Sequence, residues 1–282
     1  MRILLILIFL SILGCEKKPT KNNMENPIAI LKINEDPRAF LDVNGFFKVE
    51  NHPAGINFYT ANWNASDHAR ARLENINHSF SIEHMLGVTA TDEPNSPEEG
   101  IVKFSINAGI SSADVISHEE ARQRFVYILK NIRKVGWQRF LDEGDPRLSG
   151  RDMLDFILKD SPASSMDPDY EPTFEEWMKI PSRTTWSFYA NHVYLSLDFS
   201  RDPTLTDPNK PGAYLITFTV NSENNHYKSY VDPKDRKDWK NQLSSKLAIL
   251  PKMRKEAEAE LRTKGVKIDE FYVDPPKPSF IR

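Results

Sequence analysis

The residues with the clearest chemical potential form an acidic segment in the second half of the chain. Residues 167–171 read Asp-Pro-Asp-Tyr-Glu, which places carboxylates at positions 1, 3 and 5, as at the start of an EF-hand calcium loop. Pro172 then stands where that loop requires a glycine, and Met178 stands where it requires a bidentate glutamate. The segment therefore does not predict a calcium site, and we expect no metal there.

The same segment has the composition of a recognition loop. Aromatic side chains at Tyr170, Phe174 and Trp177 can supply contact area, and carboxylates can guide the encounter with a basic partner surface. The alternative is a solvated loop whose prolines restrict the unfolded chain, with one or more of the aromatic residues in the core. On the first interpretation the candidate contact residues are Asp167, Asp169, Tyr170, Glu171 and Glu175.

Signatures of catalysis are missing from the sequence. It contains no Gly-x-Ser-x-Gly, no Ser-x-x-Lys, no phosphate-binding glycine loop and no His-Glu-x-x-His. The seven histidines are dispersed without the spacing of zinc ligands, and His118 lies inside a predicted helix cap. We expect neither enzymatic activity nor a cofactor. A hydrolase without a recognised motif remains the alternative, with carboxylates available at Glu98, Glu99, Asp142, Glu143 and Asp145.

Cys15 is the only cysteine among the 282 residues. It follows Arg2 and an apolar stretch at 3–10 that is too short to span a bilayer, which is typical of a signal peptide. Residues 12–15, Ile-Leu-Gly-Cys, resemble the bacterial lipobox. In proteins with that motif the peptide is cleaved before the cysteine, which then carries acyl chains such as palmitate. An ordinary secretory signal with an accidental cysteine is the alternative.

The lipobox interpretation predicts where the protein acts. Residues 1–14 would be removed, and Cys15 would become a lipidated N-terminus. Two or more acyl chains on that residue would hold the protein firmly on a membrane. The body would then face the periplasm without any thiol for a disulfide. Glu16 is not the aspartate that marks inner-membrane retention in enterobacteria, which favours the outer membrane.

Composition argues against a nucleic-acid partner and favours a globular body. The net charge is −3 and no run of five Lys or Arg occurs, whereas nucleic-acid binders carry a basic face. Hydrophobic residues make up 39% of the chain, enough for a substantial core. Membrane contact is therefore expected only through the lipid anchor.

Periodicity predicts an α+β fold of antiparallel sheets with helices packed on one face. We expect a flexible tether at 15–37, an N-terminal half at 38–148 and a C-terminal half at 149–282. The halves share an order of elements that suggests two related ββαβ units, with chance similarity as the alternative. Alternating residues predict strands at 46–63, 79–92, 100–107, 185–199, 214–220 and 266–273, and helical spacing or capping residues predict helices at 66–77, 117–135, 149–160, 173–178 and 245–264.

Two segments carry a resemblance to a known family. Residues 152–178, DMLDFILKDSPASSMDPDYEPTFEEWM, and residues 186–199, WSFYANHVYLSLDF, resemble the immunity lipoproteins that accompany phospholipase effectors of the bacterial type VI secretion system. The pattern of elements extends this likeness over residues 100–275. The resemblance implies a periplasm-facing protein that neutralises a secreted phospholipase by stoichiometric binding over its active-site region. The alternative function is a general envelope lipoprotein that binds a ligand or scaffolds an assembly without catalysis.

Overall fold

The alternating segments of the sequence pair into one open sheet. The structure, a computed structural model, describes residues 28–64, 66–161 and 164–278. In that part of the chain the strand order is β1-β4-β5-β6-β10-β9-β8-β7, with β3 also paired to β5 and β2 to β3; β1 runs parallel to β4, and the other pairs are antiparallel. The strands are β1 Ile28–Lys32, β2 Lys48–His52, β3 Ile56–Asn62, β4 Ala69–Glu74, β5 Phe80–Asp92, β6 Ile101–Gly109, β7 Gln138–Arg139, β8 Thr185–Ala190, β9 Val193–Arg201 and β10 Tyr214–Ser222.

Helices connect and cover the strands. Ser117 caps its helix by accepting from the backbone N–H of Glu120, and Thr173 and Glu176 form the predicted reciprocal capping box. The carboxylate of Glu120 pairs with Arg124 instead of reaching back to the cap. The helices are α1 Pro37–Val43, α2 His118–Lys134, α3 Gly150–Lys159, α4 Phe174–Lys179, α5 Glu223–Lys228, α6 Trp239–Leu247 and α7 Leu250–Thr263.

Two apolar cores hold the body together. The larger one joins α2, α3 and α4 to the sheet, where Phe125 of α2 contacts Trp186 and Phe199. The smaller one joins α5 and α6 to Tyr194 of β9. Successive side chains of a strand point to opposite faces, so Tyr194 and its neighbour Leu195 place these cores on opposite sides of the sheet. The α+β class is confirmed. Helices α2 to α4 form the layer that was expected on one face of the sheet. Helices α5 and α6 form a second layer on the opposite face.

The two predicted halves form one continuous sheet. Strand β10 pairs with β6 along seven residues, so the proposed boundary at 148/149 does not separate two sheets. In the first half, β6, α2 and the short β7 follow in the order expected for a repeat. In the second half the chain after β10 forms helices but, as far as residue 278, no further strand. The predicted strand at 266–273 is therefore wrong, and the second ββαβ unit lacks its last strand.

Three other predictions need correction. Residues 66–77 were expected to be helical, but Ala69, Ala71 and Leu73 are buried at every second position of β4, where pairing overrides helix propensity. Residues 28–37 were assigned to the tether, yet Ile28–Lys32 pairs with β4 and α1 begins at Pro37. The predicted helix at 245–264 is divided between α6 and α7.

The break between α6 and α7 shifts the buried face of the second helix. Met253 is half exposed, whereas Arg254 and Glu258 are buried. The helix restarts with Pro251 in its first turn, where the missing N–H of proline costs no helical hydrogen bond. Arg254 contacts both the chain that follows β7 and Asp274 of the C-terminal segment, and Glu258 binds Arg147 in the chain that follows β7.

The proposed anchor lies outside the described residues, because the signal peptide 1–14 and Cys15 precede Ile28. Among residues 28–64, 66–161 and 164–278, no helix has the length and apolar character needed to cross a membrane. All strands of the sheet and both cores lie between Ile28 and Tyr272. A chain beginning at Glu16 therefore contains the complete described body.

Candidate functional site

The acidic segment 167–171 lies between α3 and α4. Asp167 is buried and accepts hydrogen bonds from the backbone N–H of Gly150 at 2.7 Å and of Asp169 at 3.0 Å. Gly150 has a φ of +56°, a conformation that favours glycine. Asp167 thus fixes the start of α3 and the turn of its own loop. Its expected role as an exposed contact needs correction, because composition alone does not reveal which carboxylate caps a turn.

The other carboxylates of the segment are exposed but paired. Arg133 of α2 binds Asp169 through two contacts of 2.9 Å, and Lys130 of α2 lies 2.6 Å from Glu171. Glu175 accepts from Lys179 at 2.6 Å, and this hydrogen bond lowers the pKa of Glu175. Exposed pairs of this kind contribute little to stability, because water screens them. They order the loop and can be exchanged for basic groups of a partner at little cost.

The three aromatic residues of this region have different environments. Trp177 is fully buried, as the core interpretation of one aromatic residue predicted. Tyr170 is partly buried and donates its hydroxyl to Glu176 Oε2 at 2.9 Å. Phe174 remains 36% exposed on the first turn of α4. Only Tyr170 and Phe174 therefore offer aromatic surface beside the loop.

A cavity of about 490 Å³ separates the acidic loop from the C-terminal segment. We call it the tail cavity; its lining residues include Arg133, Arg139, Asp167, Asp169, Asp269 and Phe271. Three carboxylates and two guanidinium groups therefore face one space. Asp167 and Asp169 are among the contact residues expected from composition, whereas no such expectation existed for Arg139, Asp269 or Phe271.

Arg139 is the buried charge of the tail cavity. Its side chain is 8% exposed, and its Nη1 lies 4.0 Å from Asp167 Oδ2 and 3.9 Å from Asp269 Oδ2. Burial lowers the pKa of Arg139, and the neighbouring aspartates oppose that shift. Nη2 donates to the carbonyl of Leu148, whereas the buried Nε has no hydrogen-bond partner among the described residues. Such an orphaned donor is costly unless another molecule supplies an acceptor.

The C-terminal segment presents apolar side chains at the rim of this cavity. Phe271 is 95% exposed and Val273 is 79% exposed, the two highest values among the large apolar residues of the described chain. Tyr272 between them points inward, and its hydroxyl accepts from the backbone N–H of Leu141 at 2.8 Å. The alternation Phe-Tyr-Val was the available sequence signal, but it was interpreted as a sheet strand.

Buried charges fix this segment at both ends. Arg254 binds the carboxylate of Asp274 at 2.6 and 3.0 Å. At the other end, the backbone N–H of Asp269 donates to the carbonyl of Arg147, whose guanidinium binds Glu258 at 2.7 and 2.8 Å. The hydrogen bonds from Arg147 lower the pKa of Glu258. Phe271 and Val273 therefore project from a backbone that is held in place.

Three of the five carboxylates considered for a hydrolase have partners in the fold. Glu99 lies 3.0 Å from Lys228, Glu143 lies 2.7 Å from Lys277, and Asp142 accepts from the hydroxyl of Tyr230 at 2.8 Å. Glu98 is exposed. Burial, with the charge of Asp142, raises the pKa of Asp145 to about 6. Among the residues that the structure describes, no three His, Cys, Asp or Glu side chains are grouped so as to hold a metal.

Comparisons of this chain with known protein families, with curated proteins and with solved structures found no match. The fold and the site define an α+β body with a cavity of mixed charge and an exposed aromatic side chain at its rim.

Proposed function

We propose that this chain is a lipid-anchored immunity protein that neutralises a secreted phospholipase by binding it. The docking surface is the rim of the tail cavity, formed by the acidic loop on one side and by Phe271 and Val273 on the other. The chain performs no chemistry in this proposal. It covers the active-site entrance of the lipase beside the membrane that the lipase attacks.

The observation that carries the proposal is the exposure of Phe271. Water surrounds 95% of this side chain although hydrogen bonds on either side fix the backbone that presents it. Fixed aromatic side chains beside polar groups are typical binding anchors, because their burial against a partner costs little conformational entropy. Phe271 would therefore stabilise a complex, although it contributes little to the stability of the isolated fold.

The charges at the rim suit a polar partner surface. Asp169 and Glu171 are held by exposed ion pairs that a basic side chain of the lipase can replace. These groups would give the interface its orientation, whereas the apolar anchors would give most of its affinity. The identity of the partner class comes from the sequence resemblance alone.

The first test asks whether a secreted phospholipase is encoded beside this gene, and titrates that lipase with the chain that begins at Glu16. We expect lipase activity to fall to a stoichiometric endpoint near equal molarity. Phe271→Ala is expected to raise the Kd by at least about 30-fold, because removing an interface anchor costs about 2 kcal/mol or more. The Kd is measured by calorimetry.

Tyr127→Ala is the matched control, since Tyr127 is an aromatic residue of α2 that is 66% exposed and does not line the tail cavity. It should leave the Kd unchanged. An unchanged Kd for Phe271→Ala would exclude the tail cavity as the docking surface. Full lipase activity at an excess of the unmodified chain would refute the immunity function itself.

The anchor gives a separate prediction. Cys15→Ser should abolish palmitate incorporation and leave the signal peptide attached, because the acceptor sulfur and the cleavage position are both lost. Labelling with palmitate and the electrophoretic mobility of the product measure these effects, and Ser11→Ala, which keeps the cysteine, is the control. Unaltered labelling of Cys15→Ser would show that the lipobox assignment is wrong. The chain that begins at Glu16 lacks this cysteine and should still bind the lipase.

A further inference from the structure

A second cavity lies between α2 and the sheet. Its volume is about 600 Å³, and it shares no lining residue with the tail cavity. We call it the helix groove. The wall contributed by α2 contains Tyr127, Ile128, Asn131 and Ile132, and the side formed by the strands and by Ile110 after β6 is mainly apolar: Phe80, Ile82, Ala108, Ile110, Ile216 and Phe218.

The strand that borders the groove is irregular at this point. His84 of β5 has a φ of +54°, and the register between β5 and β6 shifts between Met85 and Gly87. Backbone of this kind is unfavourable for a residue with a side chain, and such positions cluster at functional sites. Burial and the neighbouring His68 lower the pKa of His84. At neutral pH His84 therefore lines the groove as an uncharged ring.

The charged residues that line the groove are mostly basic. Arg72, Arg124 and Lys134 provide three cations, against one carboxylate from Glu83. Arg124 pairs with Glu120 on its exposed side, and Arg72 lies 3.9 Å from Glu74. Lys134 forms no ion pair within residues 28–64, 66–161 and 164–278. A positive border around an apolar interior is complementary to a molecule with an apolar body and an anionic head.

We propose that the helix groove binds a single-chain lipid with a carboxylate head, that is, a fatty acid. The acyl chain would lie against Ile82, Ala108 and Phe218, and the carboxylate would lie near Lys134 or one of the two arginines. The size of the groove fits this occupant. Small-molecule sites enclose roughly 300–1,000 Å³, and the helix groove encloses about 600 Å³. The proposal does not rest on the immunity function.

Binding is tested with the chain that begins at Glu16, after removal of copurified lipid on a hydrophobic resin. Displacement of cis-parinaric acid by oleate reports on the groove, with oleyl alcohol as a neutral molecule of the same length. We expect one oleate per chain and a Kd at least tenfold lower for oleate than for the alcohol. The advantage of oleate should decrease with rising salt, because the charged border is partly exposed.

Two substitutions separate the apolar and the charged contributions. Ile128→Trp fills the wall of the groove and should weaken both ligands at least tenfold. Lys134→Glu should weaken oleate about tenfold and leave oleyl alcohol unchanged. Lys267→Glu is the matched charge control, because Lys267 is exposed and lies outside the lining of the groove. If Ile128→Trp does not fold, Tyr127→Glu provides a negative charge at an exposed position of the same wall and should weaken oleate.

The outcomes are decisive in both directions. Saturable oleate binding that is lost in the filled variant and reduced by Lys134→Glu supports the proposal. Absence of saturable binding overturns it, as does equal affinity for oleate and oleyl alcohol. Preferential binding of an acidic amphipathic helical peptide that oleate fails to displace would also overturn it. The lipase titration is independent, since Phe271→Ala leaves the groove intact and Ile128→Trp leaves the tail cavity intact.

Discussion

Replacing Trp177 by alanine is expected to lower the free energy of unfolding by about 3–5 kcal/mol. Trp177 is fully buried, and its ring centroid lies 4.5 Å from that of Phe199 and 5.6 Å from that of Phe125. The indole N–H also donates to the hydroxyl of Tyr214 at 3.3 Å. Truncation leaves a large cavity between α2, α4 and β9 that these rigid neighbours cannot close.

The same substitution connects the core to the proposed docking surface. Arg201 lies over the Trp177 ring at 5.7 Å and donates to the carbonyls of Trp177 and Met178 at 2.9 and 3.2 Å. These contacts hold α4, which continues directly from the acidic loop. Trp177→Ala should therefore weaken lipase binding through a loosened loop, whereas Phe271→Ala should weaken binding at unchanged stability.

Urea unfolding followed by circular dichroism measures the effect. Phe174→Ala is the matched control, because Phe174 starts the same helix but is 36% exposed and should cost less than about 1 kcal/mol. Similar midpoints for the two variants would show that α4 is not anchored by its tryptophan. A low midpoint for Trp177→Ala together with unimpaired lipase binding would separate the loop from the docking surface.

The strands and helices with strong local signals were predictable from the sequence. Strand β10 alternates buried Ile216, Phe218 and Val220 with half-exposed residues, so its period of two decides both its structure and its buried face. Strand β4 was not predicted, because its alternation of buried and exposed residues is weak in the sequence. Its buried side chains include Ala69 and Ala71, which carry little hydrophobic signal and have high helix propensity. Only pairing with β1 and β5 makes this segment a strand.

The site was only partly predictable because its charges meet through the fold. The acidic loop was recognisable from its composition, but its partners Lys130 and Arg133 lie on α2, and β7 and α3 separate them from the loop in the sequence. Arg139 and Phe271 reach the tail cavity from two further parts of the chain. Sequence shows the type of each residue but not the distance between residues, so neither the neutralised loop nor the orphaned Nε was foreseeable.

A second large effect is expected from the imidazole of His226, which is partly buried among aromatic rings. Its ring stacks on Tyr194 at 3.6 Å and meets the edges of Phe140 and Tyr230 at 5.2 and 5.5 Å. Burial lowers the pKa of His226 to about 3. The adjoining cavity is lined by four charged groups, Glu93, Lys103, Lys228 and Arg236. Burial is the main cause of the lowered pKa of His226. The folded state therefore holds this histidine neutral over most of the acidic range.

The sign of the pH dependence follows from the two states. In the unfolded chain the imidazole takes up its proton near its ordinary value of 6.5, whereas in the folded chain it does so only near pH 3. Acid therefore favours the unfolded state between these values. Above pH 6.5 the free energy of unfolding should not change with the protonation of His226. Below that pH, His226 should lower the free energy of unfolding by about 1.4 kcal/mol for each pH unit. Asp145 acts in the opposite direction between about pH 6 and 3.8, because its pKa is raised in the folded state.

His226→Phe isolates the histidine from this opposing group, since phenylalanine retains an aromatic ring on Tyr194 but does not titrate. Urea unfolding at half-unit intervals from pH 7.5 to 4.5 should show unfolding free energies of the unmodified chain and the variant that diverge below about pH 6.5, with the variant losing less. His52→Phe on the exposed strand β2 is the control and should follow the unmodified chain. Parallel curves for the unmodified chain and His226→Phe would show that the ring is protonated as readily in the folded protein as in water. The aromatic enclosure formed by α5 and β9 would then be open to solvent, and the smaller core could not be the dry layer that its packing indicates.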